Sequence, residues 1–232
     1  MLAIILARGG SKQVPNKNIK MLGNKRLSHY ALDALIKTSV NCRIVYSSDN
    51  ASYLSLAEAF VAGNNAEQMQ RLVLHNRSAE MAGDHVSSWE AVAEILTMMD
   101  IDNFEPILLV SGVCPTLTPK DITLFVEKME NAQSGLTIRP NDYPVESTFC
   151  ITDNGYVRRH AMSAHITARQ QARVIYRPDG HLYWRLAGDI KNKKIFPDLD
   201  TLGVDLKKTH YLNIDTASDF EYAKYVLVDS ND

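Results

Sequence analysis

The chain has 232 residues, 45% apolar and 22% charged, with a formal net charge of −2. That size suits one soluble α/β domain with a sizeable core, and the slightly negative balance argues against general nucleic-acid binding, which wants a basic surface. No run approaches the ~20 apolar residues that span a bilayer, no basic region opens the chain as in a signal peptide, and Cys42, Cys114 and Cys150 are too scattered for a disulfide framework or a metal pattern. The expectation is a cytoplasmic protein with neither nucleic acid nor membrane as partner.

Leu2-Ala-Ile-Ile-Leu6 is an unbroken apolar run and reads as a strand buried on both faces. It leads into Ala7-Arg-Gly-Gly-Ser-Lys-Gln-Val-Pro-Asn-Lys-Asn18, whose adjacent glycines, Gly9 and Gly10, predict a tight turn that exposes backbone N–H groups. Six basic side chains (Arg8, Lys12, Lys17, Lys20, Lys25 and Arg26) precede the first carboxylate, Asp33. Such a local surplus calls for an anion, and phosphate matches N–H groups and fixed cations together, with Ser11 as a hydroxyl donor. A solvated loop would explain one glycine pair and one lysine; it explains this combination less well. Neither the Walker pattern nor Gly-x-Gly-x-x-Gly is present, which sets aside P-loop ATPases and Rossmann dehydrogenases.

Apolar spacing then predicts a helix over 26–38, a strand over 43–49 ending in Ser47-Ser48-Asp49, a helix over 51–62 and a strand over 72–74. A longer helix over 84–99 follows, capped by Asp84 or Ser87. Next come a strand over 106–110 and a helix opened by Thr118-Pro119. The alternation implies a doubly wound, mostly parallel sheet with its ligands beyond the carboxyl ends of the strands. After Gly135 a strand is expected over 136–138. Residues 139–179 carry no clear helix and read as β-rich structure leaving the main sheet. A strand over 211–214 and a helix over 216–228 close the chain.

Three polar groups could carry chemistry. Asn213 and Asp215 fall on one side of the last strand, where a carboxylate and an amide oxygen could hold Mg²⁺ beside substrate phosphates; helix capping explains Asp215 more simply. In the loop from Arg77 to Ser88, Arg77 could reach a pyrimidine carbonyl or a phosphate, and Ser87 and Ser88 a base or sugar hydroxyl; ordinary capping explains the serines equally well. Arg169-Gln170-Gln171 and Tyr176-Arg177-Pro178-Asp179-Gly180 could face a ligand carboxylate through bidentate arginine, or make surface salt bridges. The histidines show no metal-ligand spacing. Cys114 reads as a buried thiol rather than a nucleophile.

Ala-Arg-Gly-Gly-Ser-Lys-x-x-x-x-Lys-Asn resembles the nucleotide-binding signature of the CMP-sugar synthetases, the acylneuraminate cytidylyltransferase family. In the same order, Ser47-Ser-Asp49 resembles that family's Ser-Thr-Asp, and Arg77-Ser-Ala-Glu-Met-Ala-Gly-Asp84-His-Val-Ser87-Ser88 its Arg-Pro-Ala-Glu-Leu-Ala-x-Asp-Thr-Ala-Ser-Ser. Arg169-Gln, Tyr176-Arg-Pro-Asp-Gly180 and Asn213-Ile-Asp215-Thr-x-x-Asp-Phe220 resemble its Arg-Gln-x, Tyr-Arg-Pro-Asn-Gly and Asp-Ile-Asp-Thr-Glu-x-Asp-Phe.

The resemblance implies a Rossmann-like nucleotide-diphospho-sugar transferase fold in one domain, with residues 139–172 as an extension that pairs two subunits into a homodimer. It implies transfer of CMP from CTP to the anomeric hydroxyl of an acidic nonulosonic sugar, sialic acid or a relative, with release of pyrophosphate. Ala7, Arg8, Gly9, Gly10, Ser11, Lys12, Asn18, Arg77, Asp84 and Ser87 would bind the nucleotide. Arg8, Lys12, Lys17 and Asp215 would carry catalysis, Asp215 with Asn213 would hold Mg²⁺, and Ser88, Ser111, Arg169, Gln170, Arg177 and Asp179 would face the sugar.

Three departures stand out. The family's Leu-Gln-Pro-Thr-Ser-Pro-Leu-Arg is replaced by Val110-Ser-Gly-Val-Cys-Pro-Thr-Leu117, its first metal aspartate by Asn213, and the asparagine of Tyr-Arg-Pro-Asn by Asp179. Two other readings therefore stay open, a CTP-binding homologue without full catalysis and a nucleotidyltransferase for a different sugar.

Overall fold

The computed structural model describes residues 1–143, 148–159, 174–208 and 210–229. Its strands are β1 (Leu2–Leu6), β2 (Met21–Leu22), β3 (Lys25–Arg26), β4 (Arg43–Ser48), β5 (Leu72–Asn76), β6 (Pro106–Val110), β7 (Ser134–Pro140), β8 (Phe149–Ile151), β9 (Val157–Arg159), β10 (Tyr176–Leu186) and β11 (Leu202–Asp205). The helices are α1 (Leu27–Lys37), α2 (Ala51–Asn64), α3 (Ser88–Met98), α4 (Pro119–Lys128), α5 (Ala187–Lys191) and α6 (Ala217–Asp229).

A seven-stranded sheet with the order β11-β7-β10-β6-β1-β4-β5 forms the centre. β1 pairs in parallel with β4 and β6, and β4 with β5, whereas β10 runs antiparallel to both β6 and β7. The alternation of strand side chains sorts the apolar residues onto two faces. Ala3 and Ile5 of β1 join Leu35, Tyr53, Ile122 and Phe125 from α1, α2 and α4. Leu2 and Ile4 join Val92, Ile95 and Ile190 from α3 and α5. The doubly wound, mostly parallel sheet read from the sequence is the observed fold.

A third apolar cluster positions the site. Val14 of the glycine loop, Leu22 and Leu27 pack against Leu212, Ile214, Phe220 and Ala223. This fastens the loop after β1 to the segment entering α6. Among the described residues no helix is long and apolar enough to cross a membrane.

The structure corrects three expectations. α3 begins at Ser88, not at Asp84, because Ser87 and Glu90 form a capping box that sets its start. Residues 176–179 do not leave the main sheet. They open β10, whose pairing with β7 shifts register between Pro178 and Tyr183, an irregularity that accommodates a proline without a donor and Gly180 at φ +84°. Residues 211–214 alternate like a strand yet form none: the Ile214 N–H bonds Val113 O at 3.0 Å, and β11 takes the sheet edge instead. Of the expected extension over 139–172, residues 139–143 and 148–159 are described, the latter forming the hairpin β8–β9.

Candidate active site

The loop after β1 is held by the end of β4. Ala7 N–H donates to Ser47 O at 2.8 Å, Gly9 N–H to Asp49 Oδ1 at 2.8 Å, and Ser11 N–H to Gly9 O at 3.0 Å. Neither Gly9 nor Gly10 adopts positive φ, so their backbone conformation does not itself demand glycine. Gly10 is exposed, and a Cβ there would meet nothing within 4 Å. Its missing side chain leaves space in front of the loop. Asn18, buried, donates from Nδ2 to Arg8 O at 2.9 Å and shapes the loop from beneath.

Beside this loop opens a cleft of about 310 Å³. Of the residues expected at the nucleotide or sugar, it brings together Arg8, Ser11, Lys17, Asn18, Arg77, Asp84, Ser87 and Ser88. Arg77 is buried, donates from Nη2 to Ser47 O at 3.1 Å, and leaves Nε without a protein partner. Burial pulls its pKa down, and Asp49 and Glu94 oppose that pull. Ser87 caps α3, its Oγ accepting from Glu90 N–H at 3.2 Å and donating to Glu90 Oε2 at 2.8 Å. The positive end of α3 therefore opens on the cleft. The apolar lining of Leu6, Met81, Val86, Ala91 and Val113 went unassigned in the sequence, since nothing local marks those residues as wall rather than core.

The cations of the loop are paired with carboxylates. Asp84 receives Arg8 Nη1 on Oδ1 at 2.8 Å and Lys12 Nζ on Oδ2; Lys12 and Arg8 together hold its carboxyl below the ordinary range. Lys17 Nζ bonds Ile214 O at 2.7 Å and Asp215 Oδ1 at 3.1 Å. Lys25 and Arg26, by contrast, are structural, bonding Asp33 and Ile19 O. The cap of α6 is made by Thr216 and Asp219, whose Oδ2 accepts from the N–H groups of Asp215 and Thr216 at 3.0 and 2.7 Å. The Asp215 side chain, 63% exposed, is thus not the cap.

Asn213 is exposed like Asp215, but its Nδ2 would lie 2.8 Å from a Cβ placed on Gly180, and its Oδ1 lies 4.0 Å from Cys114 Sγ. Cys114 is buried as expected, and burial pushes its thiol up to about 12. Ser111, Arg177 and Asp179 do not line the cleft. Asp179, expected near the acceptor, is buried: Oδ1 accepts from Thr137 Oγ1 and from His181 N–H at 2.9 Å, and His181 Nδ1 lies 3.1 Å away. Burial pushes its carboxyl up, but the bonds from His181 and Thr137 prevail and hold it below the ordinary range. The spacing Asp-Gly-His on one strand is the sequence signal for this pair. Arg177 is exposed and pairs with Asp142 at 3.3 Å, as does Arg139 at 3.1 Å. Arg169 and Gln170 lie outside the described residues. Among those described, no group of three or more His, Cys, Asp or Glu side chains gathers into a metal cage.

The chain is similar to known proteins over nearly its whole length. It is 25% identical over 228 residues to the pseudaminic acid cytidylyltransferase of Campylobacter jejuni, covering 96% of this chain and 94% of that one. It is 26% identical over 237 residues to the N-acylneuraminate cytidylyltransferase of Escherichia coli, covering 96% of this chain and 51% of that one. A CMP:2-keto-3-deoxy-manno-octonic acid synthetase solved with CTP superimposes with a TM-score of 0.65 at 14% identity, over 99% and 98% of the two chains, which shows the shared fold. The model of the family described as "Cytidylyltransferase" matches residues 2–223, and the chain accordingly belongs to that family of CTP-using nucleotidyltransferases.

Proposed function

We propose that the protein transfers CMP from CTP to the anomeric hydroxyl of an acidic nonulosonic sugar and releases pyrophosphate. The observation that carries this reading is the meeting of Lys17 with Asp215 beside the cleft that Arg8 and Arg77 line. It brings cations of the kind that suit phosphate next to a carboxylate that no cap employs. The names of the relatives, which act on pseudaminic and N-acylneuraminic acids, support the sugar class.

In this mechanism Arg8, Lys12 and Lys17 hold the phosphates of CTP, and Arg77 holds the nucleoside side of the cleft. The sugar hydroxyl attacks the α-phosphorus and gives up its proton to solvent water; the bond to the β-phosphate oxygen breaks, and pyrophosphate leaves with the electron pair. Catalysis is then chiefly orientation and neutralisation of charge that develops on the phosphates. Mg²⁺ fits Asp215, because that ion binds through one or two carboxylates together with substrate phosphates and waters rather than in an all-protein cage. Bound there, it would neutralise phosphate charge.

The hairpin β8–β9 exposes Phe149, Ile151 and Val157, which suits its assignment as the surface that pairs two subunits. Sedimentation of Ile151→Asp tests that: a homodimer in the parent chain should become a monomer in the variant.

Pyrophosphate release from CTP and Mg²⁺, measured across a panel of nonulosonic acids and neutral sugars, tests the activity. Turnover with an acidic sugar supports it, and turnover only with a neutral sugar overturns the acceptor class. A second reading, a CTP-binding homologue with impaired catalysis, is favoured by Asn213, which carries no charge and packs on Gly180. CTP-dependent thermal stabilisation without turnover on any sugar would establish it.

A further inference from the structure

Carboxylates of the chain itself sit on the groups assigned above to phosphate. Asp49 accepts from the Gly9 amide, Asp84 bridges Arg8 and Lys12, and Asp215 pairs with Lys17. Asp84 is the most complete of these, since each of its oxygens engages a different cation, which is how a phosphate would span the same pair. It lies in the turn between Arg77 and α3, and its contacts with Arg8 and Lys12 are side chain to side chain, so they set no backbone course.

We infer that Asp84 is a specificity-determining residue: it occupies Arg8 and Lys12 so that the cleft accepts metal-complexed triphosphate and discriminates against free triphosphate. The inference rests on the reading of this cleft as a triphosphate site. An entering ligand must take Arg8 and Lys12 and release the Asp84 carboxylate beside its own oxygens. Asp84 is exposed, so the repulsion between like charges a few ångströms apart is screened there but not abolished. A free triphosphate bears that repulsion in full. A triphosphate carrying a divalent cation has part of its charge cancelled and brings a positive centre toward the released carboxylates. The same exchange applies to Lys17 and Asp215, where the phosphates would take the lysine and the cation the carboxylate. Asp84 differs because removing its charge leaves the assigned metal carboxylate intact. Discrimination can therefore be altered without touching Asp215.

Calorimetric titration with inorganic tripolyphosphate, alone and with saturating Mg²⁺, tests this on the full chain and on Asp84→Asn, which keeps the side-chain shape. The parent chain should bind the magnesium complex more tightly than the free anion. Asp84→Asn should tighten binding of the free anion by about tenfold, the scale expected when exposed ion pairs and a like-charge contact are removed, and should narrow the gap between the two forms. An unchanged gap, or weaker binding of the free anion, would overturn the inference. Arg8→Ala tells this failure from that of the site itself: undiminished binding of both forms in that variant would remove the triphosphate reading and the inference with it. Circular dichroism on each variant reports whether the fold is kept.

Discussion

Lys17 Nζ stands 3.1 Å from Asp215 Oδ1 although 198 residues separate them, and the same ammonium bonds Ile214 O at 2.7 Å. The pairing rests on the apolar cluster that packs Val14 of the loop against Leu212 and Ile214. Burial of that cluster, not attraction between charges, brings the two ends together; an ion pair with Asp215 this exposed contributes little by itself. Lys17→Ala should lower kcat/KM by about a hundredfold or more, the scale of losing one fixed donor to developing charge. It should cost stability only about 1 kcal/mol, from the bond to Ile214 O. Steady-state kinetics and a denaturant titration separate the two effects.

Asp215 has two explanations in the sequence, helix cap or metal carboxylate, and the structure gives the cap to Thr216 and Asp219. Asp215→Asn should leave the unfolding midpoint almost unmoved and raise the Mg²⁺ concentration needed for half-maximal rate, with kcat down about a hundredfold. Asp219→Ala should do the reverse, costing about 1 kcal/mol of stability with the metal requirement kept. A large stability loss in Asp215→Asn with an unmoved metal requirement would return Asp215 to capping.

Much of the fold was legible because its signals are local and periodic. The run Leu2–Leu6, the proline after Thr118 and the helical spacing in α1 each mark an element without reference to the rest of the chain. β10 was illegible for a physical reason. Pro178 and Gly180 are strand breakers in isolation, and only the register shift against β7 makes room for them. The same holds at the site. Arg8, Lys17 and Arg77 follow from charge and loop position, whereas the burial of Asp179 against Thr137 and His181 depends on two strands that meet only in the folded sheet. That Asp84 would face Arg8 and Lys12 was equally hidden, since 76 residues separate it from Arg8.

Gly10 and Gly180 have contrasting surroundings and should respond differently to alanine. At Gly10 a methyl group meets no protein atom within 4 Å, so Gly10→Ala should change stability by less than about 0.5 kcal/mol. It should still raise the KM for CTP severalfold if phosphates lie against the loop. Gly180 has φ +84°, and a methyl there would fall 2.8 Å from Asn213 Nδ2. Gly180→Ala should cost about 1–3 kcal/mol through backbone strain and displace Asn213. Paired thermal melts and CTP saturation curves distinguish these patterns.

Stability should fall as pH drops from neutrality toward 4, and His29 gives the reason. It is buried, its ring 4.6 Å from that of Phe60, and its Nε2 has no protein partner. Burial first, and then the charge of Arg26, depress its pKa from 6.5 to about 4. A histidine so depressed excludes the proton that the unfolded chain accepts. Its contribution is therefore fully present above pH 6.5 and lost as pH falls toward 4. The span of the shift corresponds to about 3 kcal/mol at most. His75, also lowered by burial, adds in the same direction. His29→Leu should flatten this limb of the stability profile without abolishing it, because His75 remains. Denaturant midpoints at half-unit pH steps between 7 and 4 would show it, and an equally steep limb in the variant would remove His29 as its source.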